Sequence, residues 1–415
     1  MRNESPKAEG LNPKLQTLAA GGVVMLSAAT VFAEESVDPT RIAPGVVIHP
    51  GCRIRGRETS IGPDCVLGEE APVTLDNCQL ERNVCLKGGY FSGATLLAGA
   101  SFGSAAHVRP GTIMEEHSSC AHAVGLKQTV LMPYVALGSL INFCDCLMAG
   151  GASRKDHSEV GSSFVHFNYT AHRDKATPSL FGDVPRGVML NQAPIFLGGQ
   201  GGIVGPVRIE YGTITAAGTV YRRDVTRPGR LVFGQFARTS ADIPYDLEIF
   251  GDIRRLLTNN FIYIGNLHAL SQWYRQVRAR FLSRDAWGQA CLDGALQRLR
   301  ELVGERIARL EELAGKMRIS IESAGRKHGH NLAQGPYALQ QSFADRWPDL
   351  APKLELDAQP AGDAASRDRF LVELDRLSVG SAYFDAIRRL SPAARESGVV
   401  WLQSIVDAIA GVRDF

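Results

Sequence analysis

Two stretches of the 415-residue sequence gather groups suited to acid–base and anion-binding chemistry: HVRPGTIMEEHSSCAHAVGLKQT, starting at His107, and SRKDHSEVGSSFVHFNYTAHRDK, starting at Ser153. Among their six histidines, His122, His157, His166 and His172 stand out. Imidazole is the side chain whose charge ordinarily changes near neutral pH, so each is a candidate general base. His166 and Asn168 share strand parity and so face the same way on an extended segment. Arg109 and Lys127 form a second pairing. A guanidinium fork and an ammonium point charge together suit a phosphomonoester, and the plain alternative is a surface ion pair. With Asn168, Tyr169 and Lys175 close by in sequence, the set points to a bound polar ligand without fixing a reaction.

Such groups need a scaffold, and the apolar pattern around them describes one. Ile42, Ile48 and Ile54 fall six residues apart; after a one-residue slip the period resumes at Ile61, Leu67 and Val73, then Leu80 and Leu86, Phe91 and Leu97, Phe102 and Val108. Six fits neither a helix nor a simple alternating strand. It fits a coil of three short strands, each sending one aliphatic side chain inward, and stacked coils bury a column that no single coil could bury. The spacing predicts a parallel β-helix of hexapeptide repeats over 41–230, with many of the 43 glycines at its corners. Glu69–Glu70 and Tyr90–Phe91 read as loops or distorted turns, and a loop is expected to leave the coil near Gly150–His157. The segment LGGQGGIVGPV fits a close-packed coil and a backbone surface for a ligand equally well.

Beyond Arg230 the period turns helical. Leu292, Leu296, Leu299, Val303, Ile307, Leu310, Leu313 and Met317 recur at spacings of three and four, predicting a long amphipathic helix packed in a bundle. An all-α domain is therefore expected over 231–415, with a Pro-rich loop at 337–366. Arg278, Arg280, Arg298, Arg300, Lys327, His328 and His330 read as solvated helix faces. Residues 1–40 form a leader, whose Leu18–Ala33 stretch reads as a helix or extended segment on the first coil, with a secretion signal as the second reading. Its glycines and small residues make it short and weakly hydrophobic, so no membrane role is expected. A net charge of +2 gives no general electrostatic case for nucleic acid. Cys144 and Cys146 lack a second pair, so no metal site is expected.

Residues 14–225 resemble the acetyltransferase half of the bifunctional bacterial enzyme that makes UDP-N-acetylglucosamine, and related sugar-nucleotide proteins. The pieces that carry the likeness, in order, are LAAGGVVMLSAATVFAEESVDPTRIAPGVVIHPG, HVRPGT, GLKQT, HFNYTAHRDK, SLFGD and TITAAGTVYRRDV. No Gly-rich GxGTRM-type loop precedes the repeat, so the family's nucleotidyltransferase domain is outside the likeness. The resemblance implies a left-handed coil, a homotrimer with sites between neighbouring β-helices, acetyl-CoA as acyl donor, and a cytoplasmic enzyme acting on a sugar phosphate or nucleotide sugar. It places the phosphate on Arg109 and Lys127, the sugar and acetyl donor near Asn168, Tyr169 and Lys175, and the donor's further contacts at Ala216 and Arg222. One departure bears on the chemistry: the family's catalytic histidine falls on Ser139, its following tyrosine on Asn142, and an asparagine of the next coil on Glu159. Serine is no general base near neutral pH unless another base activates it. Catalysis would then pass to His166 or His122, with Asn168. The other reading is a non-catalytic sugar-phosphate-binding or scaffold protein descended from this fold.

Overall fold

The computed structural model describes residues 12–165, 172, 174–234, 245–328, 335–356 and 361–412. Its first part is a parallel β-solenoid, as the six-residue period requires. The repeat residues Ile48, Ile54, Ile61, Leu67, Val73, Leu80, Leu86, Phe91, Leu97 and Val108 are all 0% exposed and stack into one apolar column. Phe91 thus belongs to the core rather than to a distorted turn, lying in the strand Gly89–Ser92 while its neighbour Tyr90 faces outward and stacks on His107. Glu69 and Glu70 do sit at a corner, where Lys87 bridges both.

The coil has three faces. Eleven parallel strands, from Val24–Met25 to Leu231–Val232, form the first. The second and third merge into one 16-stranded sheet, because Val124–Leu131 and Ile141–Met148 run on around the corner between them. The expected leader contributes strands of its own, Val24–Met25 and Phe32–Ala33, each paired in parallel to the next coil. After Gly150 the chain leaves the coil as an antiparallel hairpin, Gly151–Ser153 with Asp156–His157. The glycine-rich segment is a close-packed coil: a Cβ on Gly202 would sit 2.5 Å from the Phe164 carbonyl oxygen, so only glycine fits.

The helices are α1 (Pro13–Ala20), α2 (Val184–Gly187), α3 (Arg254–Trp273), α4 (Ala279–Leu282), α5 (Ala286–His328), α6 (Pro336–Leu354), α7 (Ala364–Ser378), α8 (Tyr383–Arg388) and α9 (Pro392–Gly411). A π-helical turn, Tyr274–Arg278, joins α3 to α4. The 43-residue α5 carries the expected apolar stripe and spends it on the solenoid as well as on other helices. It lies against the third-face strands Ser60–Ile61, Gln79–Leu80, Ala94–Leu96 and Thr112–Met114. Those strands are buried on both sides, whereas first-face strands bury only alternate residues. Gly294 permits the approach, since a Cβ there would come 2.7 Å from Thr95 Oγ1.

The Pro-rich segment expected as a loop is largely helix α6. Phe343, Ala344, Trp347, Leu350 and Leu354 give it a buried face that outweighs Pro348 and Pro352. A proline removes the bond to the carbonyl four residues back. For Pro348 that carbonyl is Ala344's, and it accepts a hydrogen bond from Arg318 Nη2 at 3.2 Å instead. Two arginines expected in solvent are interior: Arg278 is 0% and Arg298 2% exposed. His330 and the His328 side chain lie outside the described residues. No helix among the described residues is long and apolar enough to cross a membrane.

Candidate functional site

Parallel in-register stacking turns positions far apart in sequence into columns. On the second face His107 pairs with Gly125 and Gly125 with Asn142, while Lys127 pairs with Cys144. Arg109 donates its backbone N–H to the Leu126 carbonyl at 2.9 Å, which sets it beside Lys127 in that second column. Extending the same register, Ile203 pairs with Tyr221, so Arg222 follows in the column of Arg109, Lys127 and Cys144. It lies three strands beyond Cys144, about 14 Å at the usual ~4.8 Å spacing.

This corner concentrates cation. Among the described residues no carboxylate lies within ion-pair distance of Arg109 or Lys127, although Glu305 is close enough for the Lys127 charge to act on it. The Arg109 guanidinium reaches Cys144 Sγ at 3.6 Å. Burial, with Asp145 beside it, pushes the Cys144 thiol up to about 11 against the pull of Arg109 and Lys127, so it stays protonated and is no nucleophile near neutral pH. Glu305 of α5 feels the Lys127 charge but bonds to Arg309 Nε at 2.8 Å; burial alone would raise its carboxyl, and Arg309, Arg306 and Lys127 outweigh that. Between His107 and Asn142 the second face carries only Gly125, where an added Cβ would have just ordinary contacts, the nearest being Asn142 Oδ1 at 3.5 Å. The cation pair therefore borders a gap in the side-chain layer.

At the opposite edge of the same face stand His122 and Ser139, with Ser139 Oγ 2.8 Å from His122 Nδ1. The strand pairing that joins Cys120 to Leu137 carries them to equivalent corner positions on adjacent coils. The position that falls to serine in the family alignment thus has an imidazole again, reaching over from the preceding coil. Five residues separate His122 from Lys127, and Ser139 from Cys144, a span of at most about 18 Å. Ala216 lies at this edge further along the solenoid, its carbonyl accepting from Tyr221 Oη at 3.0 Å.

The remaining candidates are dispersed. His157 is on the hairpin, away from this face. His172 stacks on Phe250, ring centroids 4.2 Å apart, beside a cavity of about 310 Å³ that also includes Arg222, Arg255 and Thr177. Lys175 is exposed, and its backbone carbonyl is 3.5 Å from Arg306 Nη1. His166, Asn168 and Tyr169 lie outside the described residues.

A second concentration of charge went unread in the sequence. Arg278, at the end of the π-helical turn, pairs with Glu116, lies 3.9 Å from the centroid of the Tyr383 ring, and faces Glu115 and Glu81. Tyr274 Oη donates to Glu115 Oε1 at 2.8 Å. Burial, with Glu116 alongside, pushes both Glu81 and Glu115 up to about 7 although Arg278 pulls the other way. The cluster borders a cavity of about 370 Å³ between solenoid and helices. The signal was the EE of TIMEEHSS, where Glu115 directly follows the buried Ile113 and Met114 and is itself 0% exposed.

A parallel β-solenoid of hexapeptide steps, with Arg109 and Lys127 at one edge of a face and an imidazole–hydroxyl pair at the other, defines the class to which the site belongs. Curated relatives agree with it. The chain is similar to the bifunctional protein GlmU of Pelobacter propionicus, 29% identical over 209 residues that cover 50% of this chain and 40% of that protein. It is also similar to GlmU of Mycobacterium leprae, 29% over 215 residues covering 52% and 39%, and of Nocardia farcinica, 28% over 242 residues covering 55% and 44%. The chain thus spans about two fifths of the length of these relatives. No family model matches it. Sequence and solenoid together bear out the likeness to the acetyltransferase β-helix, over about half of this chain.

Proposed function

We propose that this protein transfers an acetyl group from acetyl-CoA to the amine of an amino-sugar phosphate on the second face of the solenoid. The observation that carries the reading is the stacking of Arg109 and Lys127, without carboxylate partners among the described residues, on the same face as the His122–Ser139 pair. The two cations hold the phosphate, and the gap at Gly125 takes the sugar ring. With its proton on Nδ1 donated to Ser139 Oγ, His122 presents Nε2 to the substrate amine. The amine nitrogen attacks the thioester carbonyl; the C–N bond forms, the C–S bond breaks, His122 takes the amine proton, and the thiolate leaves to be protonated. Ser139 is then a positioning residue for the imidazole. Ala216 and Arg222 contact the acyl donor, whose length suits a site spread over several coils, and Asn168, Tyr169, Lys175 and His166 complete the substrate side. Assembly as a trimer in the cytoplasm belongs to the same reading; the first face supports it with an outward ladder of Val24, Val47, Val66, Cys85, Ser101, Ser119 and Ala136 that carries no charge before Glu159.

Isothermal titration with glucosamine 1-phosphate, N-acetylglucosamine 1-phosphate and acetyl-CoA tests the reading. Wild type is expected to bind a sugar phosphate and acetyl-CoA, with Arg109→Ala losing the sugar phosphate alone. Absence of sugar-phosphate binding to wild type would remove the reading.

A further inference from the structure

We infer that Arg306, from the helical region, is a positioning residue for the sugar-phosphate site, so that the solenoid's anion corner works only with α5 docked behind it. The inference rests on the reading of Arg109 and Lys127 just given. Arg306 is 1% exposed in spite of its charge. Its Nη2 bonds Asp145 Oδ1 at 2.8 Å and Gln128 Oε1 at 3.4 Å, and its Nη1 lies 3.5 Å from the Lys175 carbonyl. Those three partners belong to three successive passes of the chain through one corner. Gln128 directly follows Lys127, Asp145 directly follows Cys144, and Lys175 is itself a candidate substrate contact.

Gln128 and Asp145 hold positive φ of 49° and 54°, a backbone conformation that non-glycine residues rarely adopt. The Thr129 hydroxyl adds a second brace, within 2.9 Å of the Phe143 carbonyl and 3.0 Å of the Lys127 carbonyl. A planar guanidinium with fixed donors can span several acceptors at set angles, which an ammonium cannot. One buried fork thus fixes the direction in which the chain carries Lys127 and Cys144 past the corner. An anion site made of two long, flexible cations on adjacent coils depends on that direction, because a displacement of about 1 Å in a positioned group costs on the order of a hundredfold in rate.

The test compares wild type with Arg306→Lys, Arg306→Gln and Arg82→Gln, the last breaking the Arg82–Asp285 bridge that also ties solenoid to helices but stands at another corner. Each protein is measured for its thermal midpoint, its calorimetric affinity for glucosamine 1-phosphate, and KM and kcat for acetyl transfer. Arg306→Lys, which keeps the charge and loses the fork, is expected to raise the sugar-phosphate Kd and KM at least tenfold with the acetyl-CoA KM unchanged. Arg82→Gln is expected to lower the midpoint without moving either constant. Wild-type binding with an unchanged Kd in both Arg306 variants overturns the positioning role alone. Equal losses of affinity in Arg306→Lys and Arg82→Gln, tracking their midpoints, overturn it too by making the effect general destabilisation. If wild type binds no sugar phosphate, the reading of the site fails and this role falls with it.

Discussion

On the proposed reading, individual residues on the second face divide into those that hold charge and those that move a proton. Hydrogen bonds to charged groups contribute about 1.5–3 kcal/mol, so Arg109→Ala should weaken sugar-phosphate binding by roughly 10- to 100-fold, read by calorimetry. A positioned general base contributes on the order of 10²–10⁴ to rate. His122→Ala should lose that factor in kcat, whereas Ser139→Ala, which leaves the imidazole in place but unanchored, should lose about tenfold or less. Equal losses in the two would mean that the hydroxyl itself reacts. Gly125 gives an independent handle. Since a Cβ fits there with ordinary contacts, Gly125→Leu should leave the unfolding free energy within about 0.5 kcal/mol of wild type in urea while filling the gap beside Lys127. Loss of sugar-phosphate binding in a stably folded Gly125→Leu would place the ligand on this face; full retention would place it elsewhere.

At the scale of elements, the coils were legible because their period is unusual and the buried column repeats it. Legibility failed where tertiary contact overrode local pattern. Pro348 and Pro352 argue for a loop on any local rule, yet the apolar face of α6 and the Arg318 side chain compensate. Arg278 and Arg298 read as solvated because nothing in a helix sequence reveals that the facing element supplies a carboxylate or an apolar wall. The docking of α5 did leave a trace. The run TIM, in a strand that α5 packs on, carries no charge and is buried throughout, as a strand covered on two faces must be. Of the site, Arg109, Lys127 and His122 could be named in advance. The His122–Ser139 contact could not, since it depends on the stacking of corner positions 17 residues apart. Close coil packing also yields a prediction: Gly202→Ala forces a Cβ against the Phe164 carbonyl and should destabilise the protein by about 1–3 kcal/mol in urea unfolding.

For the whole molecule, the seam between solenoid and helices sets a pH dependence. Glu81, Glu115 and Glu116 face one guanidinium, Arg278, with Tyr274 and Tyr383 packed around it, and burial raises Glu81 and Glu115 to about 7. In the unfolded chain both carboxyls ionise around 4.5, the ordinary range for glutamate. Between that value and about 7 the folded state holds protons that the unfolded state has released, so stability falls as pH rises through this window and levels off above it. Urea midpoints taken from pH 5 to pH 8 should decline for wild type, and Glu115→Gln should flatten the decline. A wild-type midpoint that rises steadily over this range would mean that these carboxyls are ionised throughout.

The same seam leaves only the first and second faces of the solenoid for assembly, because α5 and its neighbours occupy the third. Acetyl transfer on the second face therefore requires that it stay open, at least in part, in any oligomer. The most direct measurement is thiol release from acetyl-CoA in the presence of glucosamine 1-phosphate, followed for wild type and His122→Ala. Wild type should release thiol stoichiometrically with N-acetylated sugar phosphate, and His122→Ala should be slower by at least a hundredfold with the sugar-phosphate affinity retained. Release that is absent from wild type, or undiminished in His122→Ala, would contradict transfer by an imidazole at this corner.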